Sequence, residues 1–276
     1  VLAHVFEPFF STRDGGMGLG LSLCLGLLSG CADTHYLLQS ASGHLQLLQA
    51  ARPVDDWLAD PAGYGVPGYV ADMVSLLARL DAEGVDWVGT SMGGLIGLGL
   101  ASLDGAPVRK LVLNDVGPVI EFAALQRIGS YVGQSGFWRT LDEAADALWA
   151  LSQGFGPHSR EQWLALTAPQ LKPATRDGVE GFTTRVDPGI AVPFRAITPE
   201  LAKAGEAMLW QAYDRLRCPT LLLRGAQSDL LSADMARAMT QRGPRAQLHE
   251  FAGVGHAPTL VQDDQIGVLR RFLLSP

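Results

Sequence analysis

The chain has 276 residues, of which 47% are hydrophobic and 18% charged, which is enough for one large α/β domain and excludes a largely disordered chain. The net charge of −7, with no cluster of Lys or Arg, argues against nucleic acid as a partner. The three cysteines fit neither a disulfide framework nor the spacing of a metal site, so we expect a cytoplasmic protein without bound metal.

The first 54 residues differ in character from the rest of the chain. Residues 5–13, VFEPFFSTR, and residues 16–23, GMGLGLSL, resemble the F box and the second glycine box of sensor histidine kinases. Residues 37–48 have the pattern of a short hairpin, which is similar to the end of the kinase ATP-binding domain. The resemblance covers residues 4–54 and lacks that family's magnesium and adenine motifs, so we expect residues 1–54 to be a kinase-like ATPase fragment that does not bind ATP.

The apolar run at residues 17–32, MGLGLSLCLGLLSGCA, has an alternative interpretation. It ends at Cys31 in a sequence that resembles a bacterial lipoprotein cleavage site. The run is too short to span a bilayer. A secretion signal also needs a positive start, and here Asp14 offsets Arg13. An exported lipoprotein is therefore the alternative to a cytoplasmic location.

From Asp55 onward, helical and strand patterns alternate along the chain. Residues 72–83 carry apolar side chains at helical spacing, and residues 86–89 have the character of a short strand. Strands that alternate with helices predict an α/β fold with a mostly parallel, doubly wound sheet. The later segments are predicted helices at residues 94–103, 232–241 and 262–274, and predicted strands at residues 110–114, 220–224 and 247–251.

The alternation stops between residues 118 and 204. This segment is rich in aromatic residues, helix formers and prolines, so it predicts a helical cap at residues 118–204. The cap would be inserted into a core made of residues 55–117 and 205–276. Aromatic side chains of the cap could line an apolar acyl pocket. The candidates are Phe122, Phe137, Trp138, Trp149, Phe155 and Trp163.

The strongest catalytic signal is Gly89-Thr90-Ser91-Met92-Gly93, a Gly-x-Ser-x-Gly motif between a predicted strand and a predicted helix. This context is typical of a nucleophile elbow, in which a sharp turn exposes the serine hydroxyl. Gly89 and Gly93 supply the small residues that the turn needs. Ser91 is the predicted nucleophile, and the amide of Met92 is predicted to face the developing oxyanion.

A serine needs a base, and the base needs an acid to orient it. Asp229 and His256 each follow a predicted strand, in the order acid then base, and both lie at the edge where open α/β sheets bind ligands. Asp229 is therefore the predicted acid. Asp115 is a rival because it also follows a strand, but its position before Gly117-Pro118 favours a turn residue.

Together these motifs resemble the α/β-hydrolase family over about residues 55–276. The resemblance implies a serine hydrolase that forms an acyl-enzyme on carboxylic esters, with Ser91, His256 and Asp229 as its triad and without a cofactor or metal. A serine at the elbow excludes the aspartate route of dehalogenases. Lactone or carbon–carbon bond hydrolysis stays open, as does a weak or inactive hydrolase-like binding or fusion protein. A small ester is the expected partner, and the oligomeric state is open.

The family's first strands have no recognisable counterpart before Asp55. One of them normally ends in His-Gly and supplies a second oxyanion donor. Residues 1–6 imitate such a strand poorly, because Val5 stands where the glycine should be. We therefore expect the first strands to be missing or replaced. The resulting loss of one donor would reduce turnover by about 100- to 1,000-fold.

Overall fold

The computed structural model describes residues 64–80 and 83–275. The interpretations of residues 1–54 as a kinase-like fragment or a lipoprotein signal lie outside these residues. The described helices are α1 Val66–Leu77, α2 Met92–Ala101, α3 Phe122–Gly129, α4 Leu141–Leu151, α5 Arg160–Thr167, α6 Ala191–Ala196, α7 Pro199–Arg215, α8 Ala233–Gln241 and α9 Asp263–Leu273. The described strands are β1 Val85–Thr90, β2 Val108–Asn114, β3 Leu171–Arg176, β4 Val179–Thr184, β5 Thr220–Gly225 and β6 Gln247–Phe251.

Four strands form a parallel sheet in the order β1-β2-β5-β6. All six residues of β5 are buried, as are the last four of β2. They include the apolar runs of residues 111–113 and 221–223, which are typical of strands that are covered on both faces of a parallel sheet. The predicted mostly parallel α/β sheet is therefore confirmed.

Alternate residues of the central strands face opposite sides of this sheet. Leu111 and Leu222 belong to a core cluster that includes residues of α2, α7 and α8. Val112 and Leu223 belong to a second cluster, which includes residues of α9. Burial of each such side chain contributes about 1.5–3 kcal/mol. This two-sided packing holds the carboxyl ends of the four strands at one edge, where the predicted catalytic residues lie.

The inserted region contains the helices α3 to α6 and also an antiparallel hairpin formed by β3 and β4. The hairpin was not part of the predicted helical cap. Its turn is Asp177-Gly178, and both residues have positive φ angles of 51° and 76°. Asp-Gly is a preferred pair for two-residue hairpin turns because both positions need such angles. The predicted cap boundary at residue 204 lies inside α7.

Across the described ranges, no helix combines the length and the apolar character that a membrane crossing requires. The same ranges contain no cluster of three or more His, Cys, Asp or Glu side chains arranged to hold a metal ion.

Candidate active site

Ser91 lies between the end of β1 and the start of α2, as the motif predicts. Its backbone angles are φ 51° and ψ −120°, which are uncommon for a residue with a side chain. The Ser91 amide donates a hydrogen bond of 3.0 Å to the carbonyl of Asn114 at the end of β2. Attachment to the neighbouring strand holds the strained turn in place.

Two glycines beside Ser91 are sterically required. A Cβ atom on Gly89 would lie 2.2 Å from the carbonyl oxygen of Gly93, which agrees with the predicted need for a small residue. A Cβ atom on Gly94 would lie 2.4 Å from Val116 Cγ1 and 3.0 Å from the Gly89 carbonyl. A Cβ atom on Gly93 would meet no described atom within 4 Å, so the close approach that we predicted there occurs at Gly94 instead.

This difference predicts opposite outcomes for two adjacent substitutions in α2. Gly94→Ala should lower the free energy of unfolding by about 1–3 kcal/mol, because the added methyl overpacks against Val116. Gly93→Ala is the matched control, since it gains the same helix propensity of up to about 1 kcal/mol without the clash. Urea unfolding would measure both variants. Equal urea midpoints for the two variants, or a lower midpoint for Gly93→Ala, would contradict the conclusion that Gly94 is the residue that must stay small.

His256 follows β6 and connects Ser91 to a buried carboxylate. Its Nε2 lies 2.9 Å from Ser91 Oγ, and its Nδ1 lies 2.7 Å from Asp115 Oδ2. The histidine side chain is only 9% exposed. Its loop is fixed by the Gly255 amide, which donates a 2.6 Å hydrogen bond to the carbonyl of Gly154 in the inserted region. The predicted contact between Ser91 and His256 is therefore present.

Asp115 occupies the position next to His256, directly after β2. Its side chain is fully buried and accepts three hydrogen bonds, so its charge is well compensated. Oδ1 accepts from the Gly225 amide at 3.0 Å, and Oδ2 accepts from Ser228 Oγ at 2.6 Å in addition to the His256 contact. These donors fix the carboxylate, so Asp115 can hold the imidazole in one tautomer and orientation.

The prediction that Asp229 orients His256 is wrong in this structure. Asp229 instead forms a two-point ion pair with Arg127, at 2.7 and 2.9 Å, and its side chain is 50% exposed. The reason is the turn after β5, in which the Ser228 amide donates to the Gly225 carbonyl at 2.9 Å. That turn directs Ser228 inward to Asp115, while Asp229 points to α3. The prediction placed the acid after β5, whereas the structure places it after β2.

Met92 is the first residue of α2. The first amides of a helix lack partners within it, and that of Met92 has none among the described backbone hydrogen bonds. The amide is thus available as an oxyanion donor at the site where Ser91 would attack. The predicted loss of a second donor concerns residues outside the described ranges and stays a prediction.

Two cavities lie against His256 and Ser91. The larger, of about 730 Å³, is lined by His256 and by residues of the inserted region. The smaller, of about 280 Å³, is lined by Ser91, Met92 and mainly apolar side chains such as Leu95 and Val116. Of the six aromatic residues proposed for an acyl pocket, those that line the larger cavity are Trp138, Phe155 and Trp163.

Comparison with known sequences gives one family and two relatives. The profile of the alpha/beta hydrolase family matches residues 26–267. This range includes Ser91, Asp115 and His256. It starts inside residues 1–54, the segment that was interpreted above as a kinase-like fragment. A protein of Cupriavidus necator named 3-hydroxybutyrate-oligomer hydrolase is 50% identical over 224 residues, which are 81% of this chain and 76% of the relative. A 2-hydroxymuconate semialdehyde hydrolase of Pseudomonas sp. (strain CF600) is 27% identical over 209 residues, 74% of this chain and 65% of that relative.

A solved structure agrees with this result. The crystal structure of an alpha/beta hydrolase from Novosphingobium aromaticivorans is 35% identical and superposes with a TM-score of 0.66. The superposition covers 78% of this chain and 73% of that one. Similarity at this level extends through most of the described residues.

Proposed function

Because this chain belongs to the α/β-hydrolase family, we propose that it is an ester hydrolase that uses Ser91, His256 and Asp115 as a catalytic triad. The proposal depends on one observation, the continuous contact from Ser91 Oγ to His256 Nε2 at 2.9 Å and from His256 Nδ1 to Asp115 at 2.7 Å. This is the arrangement that activates a serine at neutral pH. The acid in the proposal is Asp115, in place of Asp229.

In the first half of the reaction, Ser91 Oγ attacks the ester carbonyl and His256 Nε2 takes its proton. Asp115 keeps the other imidazole proton on Nδ1, so that Nε2 is free to accept. The amide of Met92 donates a hydrogen bond to the oxyanion that forms. Collapse of this intermediate breaks the bond to the leaving alcohol, which takes the proton from His256, and an acyl-Ser91 ester remains.

In the second half, water replaces the alcohol. His256 removes a proton from the water, which attacks the acyl-Ser91 carbonyl, and then returns that proton to Ser91 Oγ. The products are the acid and the alcohol of the original ester. Apart from the ester and water, the groups used in these steps belong to Ser91, His256, Asp115 and Met92.

For the substrate, we propose esters between short hydroxy acids. The support is the relative named 3-hydroxybutyrate-oligomer hydrolase, which shares half of its aligned residues with this chain. The small apolar cavity beside Ser91 has room for a short acyl group. The larger cavity beside His256 has room for the rest of such a molecule.

We expect the purified chain to release 3-hydroxybutyrate from linear dimers and trimers of 3-hydroxybutyrate, and to do so far faster than it hydrolyses long-chain esters. Quantification of the free acid by chromatography measures this, with p-nitrophenyl butyrate as a general ester substrate. The proposed substrate is wrong if p-nitrophenyl butyrate is hydrolysed and the oligomers are not. No ester turnover by the folded protein would favour the inactive, hydrolase-like alternative.

Carbon–carbon bond hydrolysis is the second candidate. It is favoured by the relative named 2-hydroxymuconate semialdehyde hydrolase, although that relative is only 27% identical. Turnover of a vinylogous diketone by a protein that leaves p-nitrophenyl butyrate intact would select this candidate over the ester hydrolase.

A further inference from the structure

The chemistry at His256 determines which cavity receives the leaving alcohol. The departing oxygen takes its proton from His256 Nε2, so it must lie within hydrogen-bonding reach of that atom. His256 lines the larger cavity. Ser91, which carries the acyl group, and Met92, which faces the oxyanion, line the smaller one. The leaving alcohol therefore belongs in the larger cavity and the acyl chain in the smaller.

Arg127, on α3, is the only Lys or Arg among the described residues that line the larger cavity. Its Nε and Nη2 donate to the two carboxylate oxygens of Asp229, at 2.7 and 2.9 Å. Within residues 64–80 and 83–275, its Nη1 makes only a long contact of 3.4 Å with the Tyr131 hydroxyl. One edge of the guanidinium is thus fixed by Asp229, and the other keeps donors that have no closer partner among the described residues.

The guanidinium also stays charged and accessible. Burial lowers the pKa of Arg127, but the hydrogen bonds and the charge of Asp229 outweigh burial, so that the pKa is raised overall. The Arg127 side chain is 43% exposed. Arginine is well suited to bind a carboxylate here because its planar donors match the two oxygens.

We propose that Arg127 is a specificity-determining residue that binds a carboxylate carried by the leaving alcohol. This inference rests on the proposed ester hydrolase activity and deepens it. The preferred substrate is then a linear ester of hydroxy acids with a free acid end, cleaved at the ester bond next to that end. Transfer to Ser91 breaks the bond from the carbonyl carbon to the terminal unit's oxygen, which takes the proton from His256. The terminal unit leaves as a free hydroxy acid.

The proposal also gives the Arg127–Asp229 pair a role. Asp229 holds the guanidinium plane in a fixed orientation, which reduces the side-chain entropy lost when a carboxylate binds. Asp229 is therefore a positioning residue for substrate recognition rather than a member of the triad.

The test compares one ester with and without its negative charge. The value of kcat/KM would be measured for the linear dimer of 3-hydroxybutyrate and for its methyl ester, and expressed as the ratio of acid to methyl ester. We expect the wild type to favour the free acid by about 10-fold or more, and Arg127→Gln to lower that ratio by about 10-fold. Arg160→Gln is the matched control, because Arg160 pairs with Asp142 and Asp146 at 45% exposure and lines neither cavity.

A wild-type ratio near one, or a ratio that Arg127→Gln and Arg160→Gln change equally, would overturn the proposal. If the wild type hydrolyses neither ester, the proposed ester hydrolase function is wrong. The role of Arg127 in carboxylate binding can still be tested by measuring the affinity for the dimer. Calorimetry with the dimer would then compare Ser91→Ala with the Ser91→Ala, Arg127→Gln double variant. About 10-fold weaker binding by the double variant supports the proposal, whereas equal affinity, or no binding by either, overturns it.

Discussion

Replacing Asp115 with Asn should lower kcat for p-nitrophenyl butyrate by about 10⁴-fold while the protein stays folded. The hydrogen bonds around Asp115 explain the size of the effect. The Gly225 amide is a fixed donor to Oδ1, so the oxygen of an Asn side chain must take that place. The NH₂ group then occupies the place of Oδ2 and faces His256 Nδ1.

An NH₂ group next to Nδ1 selects the wrong tautomer of the imidazole. Nδ1 must then accept a hydrogen bond, so the ring proton moves to Nε2, and Nε2 can no longer take the proton of Ser91. Ser228 Oγ already accepts from the Leu230 and Leu231 amides, so its proton has to turn away from the NH₂ group, but the side chain has the same size and the local packing is retained. Steady-state kinetics would measure kcat, and circular dichroism would verify the fold.

Asp229→Asn is the matched control for this prediction. It makes the same chemical change after the neighbouring strand β5, at a half-exposed carboxylate that pairs with Arg127. We expect kcat for p-nitrophenyl butyrate, whose leaving group carries no carboxylate, to change by less than about 10-fold. A larger loss for Asp229→Asn than for Asp115→Asn would restore Asp229 as the acid.

Replacing Ser91 with Ala should lower kcat by about 10⁶-fold. The change removes the attacking oxygen, whereas the Met92 amide and both cavities remain. The backbone at φ 51° costs a similar amount for Ser and Ala, so stability should hardly change. Turnover would be measured at high enzyme concentration after complete removal of wild-type protein. A residual rate above about one thousandth of the wild type would show that another group is the nucleophile.

The sheet and two residues of the proposed triad were predictable because their signals are local. Residues 111–113 and 221–223 are apolar without interruption, as is typical of a strand that is buried on both faces. Ser91 follows one strand directly in a glycine-rich turn, and His256 follows another in a similar loop. In a parallel sheet these strand ends meet at one edge, so the contact of 2.9 Å could be expected from the order of the elements alone.

The acid could not be chosen from the sequence because the choice depends on geometry across the sheet. Asp115 and Asp229 both follow buried strands, β2 and β5, which are neighbours in the sheet. The direction of the turn after Gly225 decides which carboxylate faces His256, and it places Ser228 inward. The sequence did name Asp115 as a rival, and the structure pairs β2 directly with β1, the strand that leads to Ser91.

The structure differs from the prediction at two further places, the hairpin of the inserted region and the glycine that must stay small. The hairpin in the inserted region did have a local signal, the Asp177-Gly178 pair, but it lies in a segment rich in helix formers. No such signal in the sequence indicated that Gly94, and not Gly93, is the residue that must stay small. This requirement depends on how closely α2 approaches Val116, a distance that only the packed structure defines.

Reaction with a fluorophosphonate ester tests the central claim most directly, because it traps an activated serine without depending on the substrate. Peptide mapping would locate the adduct, and its rate of formation would be compared in the wild type, Asp115→Asn and Asp229→Asn. We predict rapid labelling on Ser91 in the wild type and in Asp229→Asn, and labelling slower by about 100-fold or more in Asp115→Asn. An adduct on any other residue, or equal rates in all three proteins, would contradict the triad of Ser91, His256 and Asp115.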